Sequence, residues 1–329
     1  MVLEEYSSGG VTTCDTVEIP SGATRTTTYA LSAPARRRAT KQPTAPSGKG
    51  KVILDNRSTD LLFFEDAPKV LQFNRYIRSG FRARYSYWEC AKSVFRMHNE
   101  TGNIWSHLLP LVVWVTMMAT GLLEPWEPAT GLFYVVNFTV FCCLTGSVCY
   151  HTFMGCDCHY NRWLTLDVFG VYVVILGSQW AALRSTFACY PNARICAEVA
   201  YYSVGALGVV YAAAAKSPKQ RGLPLLGLWL LRVGCLASRP VLGGARVQSF
   251  YLYVLGEGCA VVGGVVNVAR FPERFFQGAR KPKTRALLDY WLNSHQLMHI
   301  LTLGTLITTY IGLKWDMEFH KDPAAQCLI

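Results

Sequence analysis

Between Ile104 and Leu313 the chain runs through seven apolar stretches separated by short charged gaps. Each stretch is near the ~20 residues that an α-helix needs to cross a bilayer core. They fall at about 104–124, 131–151, 163–183, 195–215, 222–238, 248–269 and 290–313. Lipid offers nothing to satisfy backbone N–H and C=O groups, so such segments fold as helices. The expected fold class is an all-α membrane protein, a seven-transmembrane helical bundle. The fifth stretch is the shortest and carries Arg232.

Lysine and arginine in the gaps set the orientation, because they mark the cytoplasmic side. With the N-terminus inside, the cytoplasmic gaps 152–162, 216–221 and 270–289 carry one, three and six basic residues. The opposite gaps 125–130, 184–194, 239–247 and 314–329 carry none, two, two and two. Arg75, Arg78, Arg82, Arg84, Lys92 and Arg96, just before the first stretch, widen the contrast to sixteen against six. The expectation is a cytoplasmic N-terminus and an extracellular or lumenal C-terminus.

Outside the apolar body the chain changes character. Residues 1–60 are rich in Ser, Thr, Pro and Arg and read as a disordered polar, basic tail that could recruit cytoplasmic proteins. Residues 61–103 set Phe, Tyr, Trp and Leu among Arg and Lys, as expected of an amphipathic juxtamembrane segment. Residues 314–329 read as a short tail. The formal charge of +11 follows from basic gaps beside a membrane and does not call for nucleic acid. Of twelve cysteines, Cys142, Cys143, Cys149, Cys235 and Cys259 lie inside apolar stretches, where a thiol behaves as a small hydrophobe. Cys189 and Cys196 flank one loop and are candidates for a bridge.

Ionisable groups within membrane segments are costly and mark function by default. His295 and His299 are four apart at the start of the last stretch, on one helical face. His151 ends the second stretch, and Asp167 lies one turn into the third. With alternating helix directions all four lie at similar depth on the cytoplasmic side. Three imidazoles from two helices make a zinc site with its fourth position open to water. Asp167 would then be a general base, a group on the water, or a partner holding a histidine. Ser147, one turn before His151, could donate to a substrate carbonyl.

Each reading has a plainer rival. A His-x-x-x-His pair is commonly two hydrogen-bonded helix contacts, and a lone serine in a span is commonly helix–helix glue. Shared depth favours metal. Cys156-Asp157-Cys158-His159 offers only half a zinc cluster and reads as an incidental loop group. His98 and His107 flank the first stretch and are expected to bond locally or face headgroups. Glu257 is a candidate partner of Arg232. Gly263-Gly264 reads as close helix packing.

The block His98-Asn99-Glu100-Thr101-Gly102-Asn103-Ile104-Trp105-Ser106-His107 resembles the opening signature of the progestin and adipoQ receptor family. So do Ser147 to His151 with Phe153, Leu166-Asp167 with Gly170, and Ser294-His295-Gln296 through His299. The likeness covers about residues 70–313, and LQFNRYIRSGF, GGVVNVARFPERF and DYWLNSHQLMH look most like its fourth-member branch. The family is similar to alkaline ceramidases and haemolysin-III-like proteins. The resemblance implies seven helices with the N-terminus inside. It also implies zinc on His151, His295 and His299, with Asp167 and Ser147 facing water or substrate.

The activity implied is hydrolysis of a ceramide or related sphingolipid amide. The other reading is a receptor or signalling tether that keeps zinc for structure. A G-protein-coupled receptor is opposed by the inside N-terminus and by the lack of Asp-Arg-Tyr and Asn-Pro-x-x-Tyr steps. Residence in Golgi, endoplasmic reticulum or plasma membrane is left open.

Overall fold

The computed structural model describes residues 60–126, 129–156, 159–215, 218–242, 246–278 and 283–321. The tail read over residues 1–60 lies outside them except for Asp60, as do the last residues, 322–329. Seven helices are long and apolar enough to cross a membrane. They are α2 (Thr101–Ala119), α3 (Thr130–Phe153), α4 (Tyr160–Thr186), α5 (Pro191–Ala214), α6 (Pro218–Leu242), α7 (Val247–Ala269) and α9 (Ser294–Phe319). Large apolar side chains project outward from them, including Leu207, Val210 and Val268. Such a surface suits a bilayer, not water.

Sequence chemistry sets several helix ends. Pro191 opens α5, where a missing N–H costs nothing. Asn293 caps α9, its side chain accepting from the Gln296 N–H at 3.2 Å. Two helices outrun their apolar stretches. α6 reaches Leu242 and α9 reaches Phe319, so Arg239 and Asp316 sit inside helices instead of gaps.

The most extensive helix contacts are α7 with α9 and α3 with α4. The α3–α4 pair is close because glycines face backbone. A Cβ on Gly146 would lie 3.0 Å from the Leu166 carbonyl oxygen, and one on Gly170 would lie 3.0 Å from that of Cys142. Asp167 is thereby held against α3. On α7, Gly263 packs toward Leu301 of α9 while Gly264 faces open space, so one of that glycine pair serves close packing.

Along the bundle, polar and apolar layers alternate. The three candidate histidines lie at one end. Val140, Cys143, Leu144, Val174 and Leu306 form an apolar layer next to them. Farther along the same helices lies an ionic cluster. Arg239 Nη2 meets Asp316 Oδ2 at 2.6 Å, and Asp316 also accepts from Ser185 at 2.8 Å, Tyr253 at 2.9 Å and Ser249. Arg232 and Glu257 pair at 2.7 Å, as their placement in neighbouring apolar stretches suggested.

Residues 60–100 build a cap over the histidine end. A short hairpin pairs β1 (Leu62–Phe63) with β2 (Ser79–Phe81), and α1 (Tyr87–Ser93) starts with a capping box between Ser86 and Glu89. The cap is fastened by buried acids. Asp289 accepts from Ser79 Oγ at 2.7 Å and the Arg78 N–H at 3.0 Å. Glu273, in the short helix α8 (Glu273–Gln277), accepts from Asn74 Nδ2 at 2.9 Å and from Ser294. Cys196 is free while Cys189 is disulfide-bonded, so the bridge considered between them is not formed.

Candidate metal centre

α3 brings His151 to the cap end, and α9 presents His295 and His299 one turn apart. One ligand nitrogen from each histidine lies within 4.8 Å of the others. His151 and His299 are buried at 1% and 3% exposure. The ring centroids are 5.1, 5.0 and 4.7 Å apart.

The outer ring nitrogens reveal the tautomers. His151 Nδ1 lies 2.8 Å from Glu100 Oε2, a carboxylate that can only accept, so Nδ1 carries the proton. His299 Nδ1 lies 2.9 Å from Ser106 Oγ, whose own hydrogen goes to the Asn103 carbonyl oxygen at 2.9 Å. That proton too sits on Nδ1. His295 Nδ1 faces Asn267 Oδ1 at 3.3 Å. Each ring thus donates outward and leaves an Nε2 lone pair inward. Backing of this kind orients metal-bound imidazoles.

His151 and His295 place two inward nitrogens at a spacing that a metal ion could bridge, with the ligand atom of His299 within 4.8 Å of both. His151 Nε2 and His295 Nε2 are 3.3 Å apart. Bonds of about 2.0–2.1 Å at a tetrahedral centre separate two nitrogens by roughly 3.3–3.4 Å. Three neutral nitrogens in a tight group suit a borderline-soft divalent ion better than calcium or magnesium, which prefer oxygen.

Glu100 holds the arrangement from the cap side. It accepts from Asn99 Nδ2 at 3.1 Å and Asn103 Nδ2 at 2.6 Å as well as from His151. Burial alone would push its carboxyl up. The hydrogen bonds from His151 and Asn103, with the Arg82 guanidinium nearby, outweigh burial and hold it at about 2. Arg82 itself bonds the carbonyl oxygens of His151 at 2.6 Å and Thr152 at 3.1 Å, closing the C-terminus of α3.

Of the residues singled out from sequence, the three histidines come together. Asp167 lies on α4, half-buried and against α3 where Gly146 approaches it, but outside the nitrogen trio. The Ser147 hydroxyl is buried one turn from His151 with no partner among the described residues. His98 bonds locally: its Nε2–H donates to the Ser93 carbonyl oxygen at 3.0 Å, and its Nδ1 accepts the Glu100 N–H at 3.1 Å.

His107 departs from the flanking role expected of it. It is buried inside α2 and stacks on His299 with centroids 3.9 Å apart and planes 10° apart. Its two ring nitrogens are without partners among the described residues. The loop group at Cys156 lies partly outside the described residues; His159 stacks on Tyr87 at 5.6 Å. Glu100, Ser106, Asn267 and Arg82 were not singled out from sequence as site residues. The available signal was a block of polar residues, His98 to His107, running into the first apolar stretch.

Comparison with known proteins agrees with this architecture. A family model described as "Haemolysin-III related" matches residues 95–310. Human progestin and adipoQ receptor family member 4 is 33% identical over 264 residues, covering 78% of this chain and 93% of the relative. The mouse protein of the same name is 33% identical over 269 residues with the same coverage. A Drosophila melanogaster protein named adiponectin receptor protein is 25% identical over 285 residues, 81% of this chain and 61% of that one. The chain is a multi-pass membrane protein that belongs to the haemolysin-III-related, progestin and adipoQ receptor family, consistent with its fourth-member branch.

Proposed function

We propose that the protein is a zinc-dependent lipid amidohydrolase that cleaves ceramide or a related sphingolipid amide into a sphingoid base and a fatty acid. The observation that carries the reading is the arrangement of the rings: three imidazoles, His151 and His299 fully buried, set Nδ1 against fixed partners and bring their other nitrogens together. Zinc bound there would polarise the amide carbonyl and make its water more acidic.

The remaining work falls to the chain's own groups. Asp167 takes the proton from the attacking water as oxygen adds to the carbonyl carbon. Ser147 spends its unpaired hydroxyl hydrogen on the carbonyl oxygen as that atom gains charge. The C–N bond then breaks as Asp167 returns that proton to the leaving nitrogen, and the remaining hydroxyl proton passes to the amine, giving a carboxylate and an ammonium. Apolar walls between the helices hold the acyl chain. In this reading the N-terminus and the histidine end face the cytoplasm, and the polar, basic N-terminal tail engages cytoplasmic proteins.

The test is ceramide turnover by protein purified into lipid nanodiscs. Asp167→Asn should lower kcat by about 10²–10⁴ while zinc is retained. Ser147→Ala should cost about 10²–10³ in kcat. Full turnover in Asp167→Asn and Ser147→Ala together would remove the mechanism. Zinc without turnover in the wild type would instead favour a receptor or tether with a structural metal.

A further inference from the structure

On the far side of α4 from Gly146, a cleft opens between α4, α5 and α6. Its walls are apolar, formed by Val168, Phe169, Val209 and Ala212, and it holds about 290 Å³ including the space at its open side. Phe169 is 47% exposed, so the cleft opens sideways toward the bilayer. At its mouth, on the same end of the bundle as the histidines, lies Arg221 near the start of α6.

Arg221 is half-buried and its guanidinium is poorly satisfied. Nη2 reaches the Ala215 carbonyl oxygen at only 3.5 Å, and Nε and Nη1 are buried without partners among the described residues. A guanidinium stays charged, and its donors need acceptors. The Tyr172 hydroxyl, also in the cleft, is likewise buried without a partner. The sequence leading into α6 reads Lys216-Ser217-Pro218-Lys219-Gln220-Arg221, three basic residues and no acid.

We propose that this cleft is a binding site for one anionic phospholipid of the surrounding leaflet, with its headgroup on Arg221 and an acyl chain along Val168, Phe169 and Val209. The Nε and Nη1 hydrogens of one guanidinium diverge, so a single carboxylate cannot take both. A phosphodiester and the neighbouring ester carbonyls supply separated acceptors, and basic residues at a membrane surface attract anionic lipid. The site lies on the face of α4 opposite the metal centre and is independent of the proposed hydrolysis.

The experiment is native mass spectrometry of the detergent-purified full chain titrated with phosphatidylserine, phosphatidylcholine or oleate, with metal content measured on each sample. Wild type should retain phosphatidylserine about fivefold better than phosphatidylcholine, the preference expected from one basic contact. Arg221→Gln should lose that preference and Arg221→Lys keep part of it. Thr165→Glu, an exposed position lining the same cleft, should give Arg221 an internal carboxylate and abolish the preference with the helix intact. Metal content should not change in any of them. Equal preference in wild type, Arg221→Gln and Thr165→Glu, or oleate competing where phosphatidylserine does not bind, would overturn the proposal.

Discussion

A histidine can bind metal through one nitrogen only if its proton is kept on the other, and at His151 Glu100 does this from 2.8 Å. Glu100→Gln keeps the size but offers one acceptor oxygen to three donors, Asn99, Asn103 and His151. Zinc affinity should fall about 10–100-fold, read by competition with a chelator; an unchanged affinity would mean Glu100 does not orient His151. His98, beside it, gives a pH prediction. Burial, and then the charge of Arg82, push its pKa down to about 3. The folded protein therefore holds the neutral ring, while the unfolded chain takes a proton near the ordinary 6.5. Its stabilising contribution is complete above about pH 6.5 and is lost progressively as pH falls toward about 3. Thermal unfolding across that window should be less pH-dependent in His98→Gln than in wild type. The grouping of His151, His295 and His299 was legible because helical spacing and charge-based orientation are local quantities. Glu100 was not, because nothing local shows that an acid before the first span will meet an imidazole 51 residues later.

Among helices, close approach and ionic pairing carry most of the specificity. Gly170→Val would push a side chain into the Cys142–Cys143 backbone, where an added Cβ alone would lie at 3.0 Å. Overpacking of this kind costs about 1–3 kcal/mol. The variant should show a lower unfolding temperature together with weaker activity, because Asp167 depends on the same α3–α4 contact. At the other end, Asp316→Ala would strand the buried Arg239, a loss of about 3–5 kcal/mol. Replacing both, as Arg239→Met with Asp316→Leu, should recover much of that loss without changing zinc content. A double variant as unstable as the single one would show that the pair contributes through Ser185, Ser249 and Tyr253 instead. From sequence Arg239 falls in a gap between spans and Asp316 in the C-terminal tail. A charge ends an apolar stretch when read alone; paired across α6 and α9, it lets both helices continue.

At the scale of the whole molecule, the bundle divides into a histidine end under a cap, an apolar layer, and an ionic end. Seven helices and their order were legible because a ~20-residue apolar run has few alternatives in a chain. The cap was not, since its fastening contacts join residues far apart, as Asn74 to Glu273 and Ser79 to Asp289. Every contact described at the metal centre lies between residues 82 and 299, so a chain lacking residues 1–58 should retain both zinc and turnover, checked on the truncated protein in nanodiscs. The most direct test of the central claim is zinc per chain, measured by elemental analysis on folded wild type, His151→Ala and His295→Ala. The account predicts near one zinc in wild type and strong loss in both variants. A well-folded wild type without zinc, or variants that keep it, would contradict the metal centre itself.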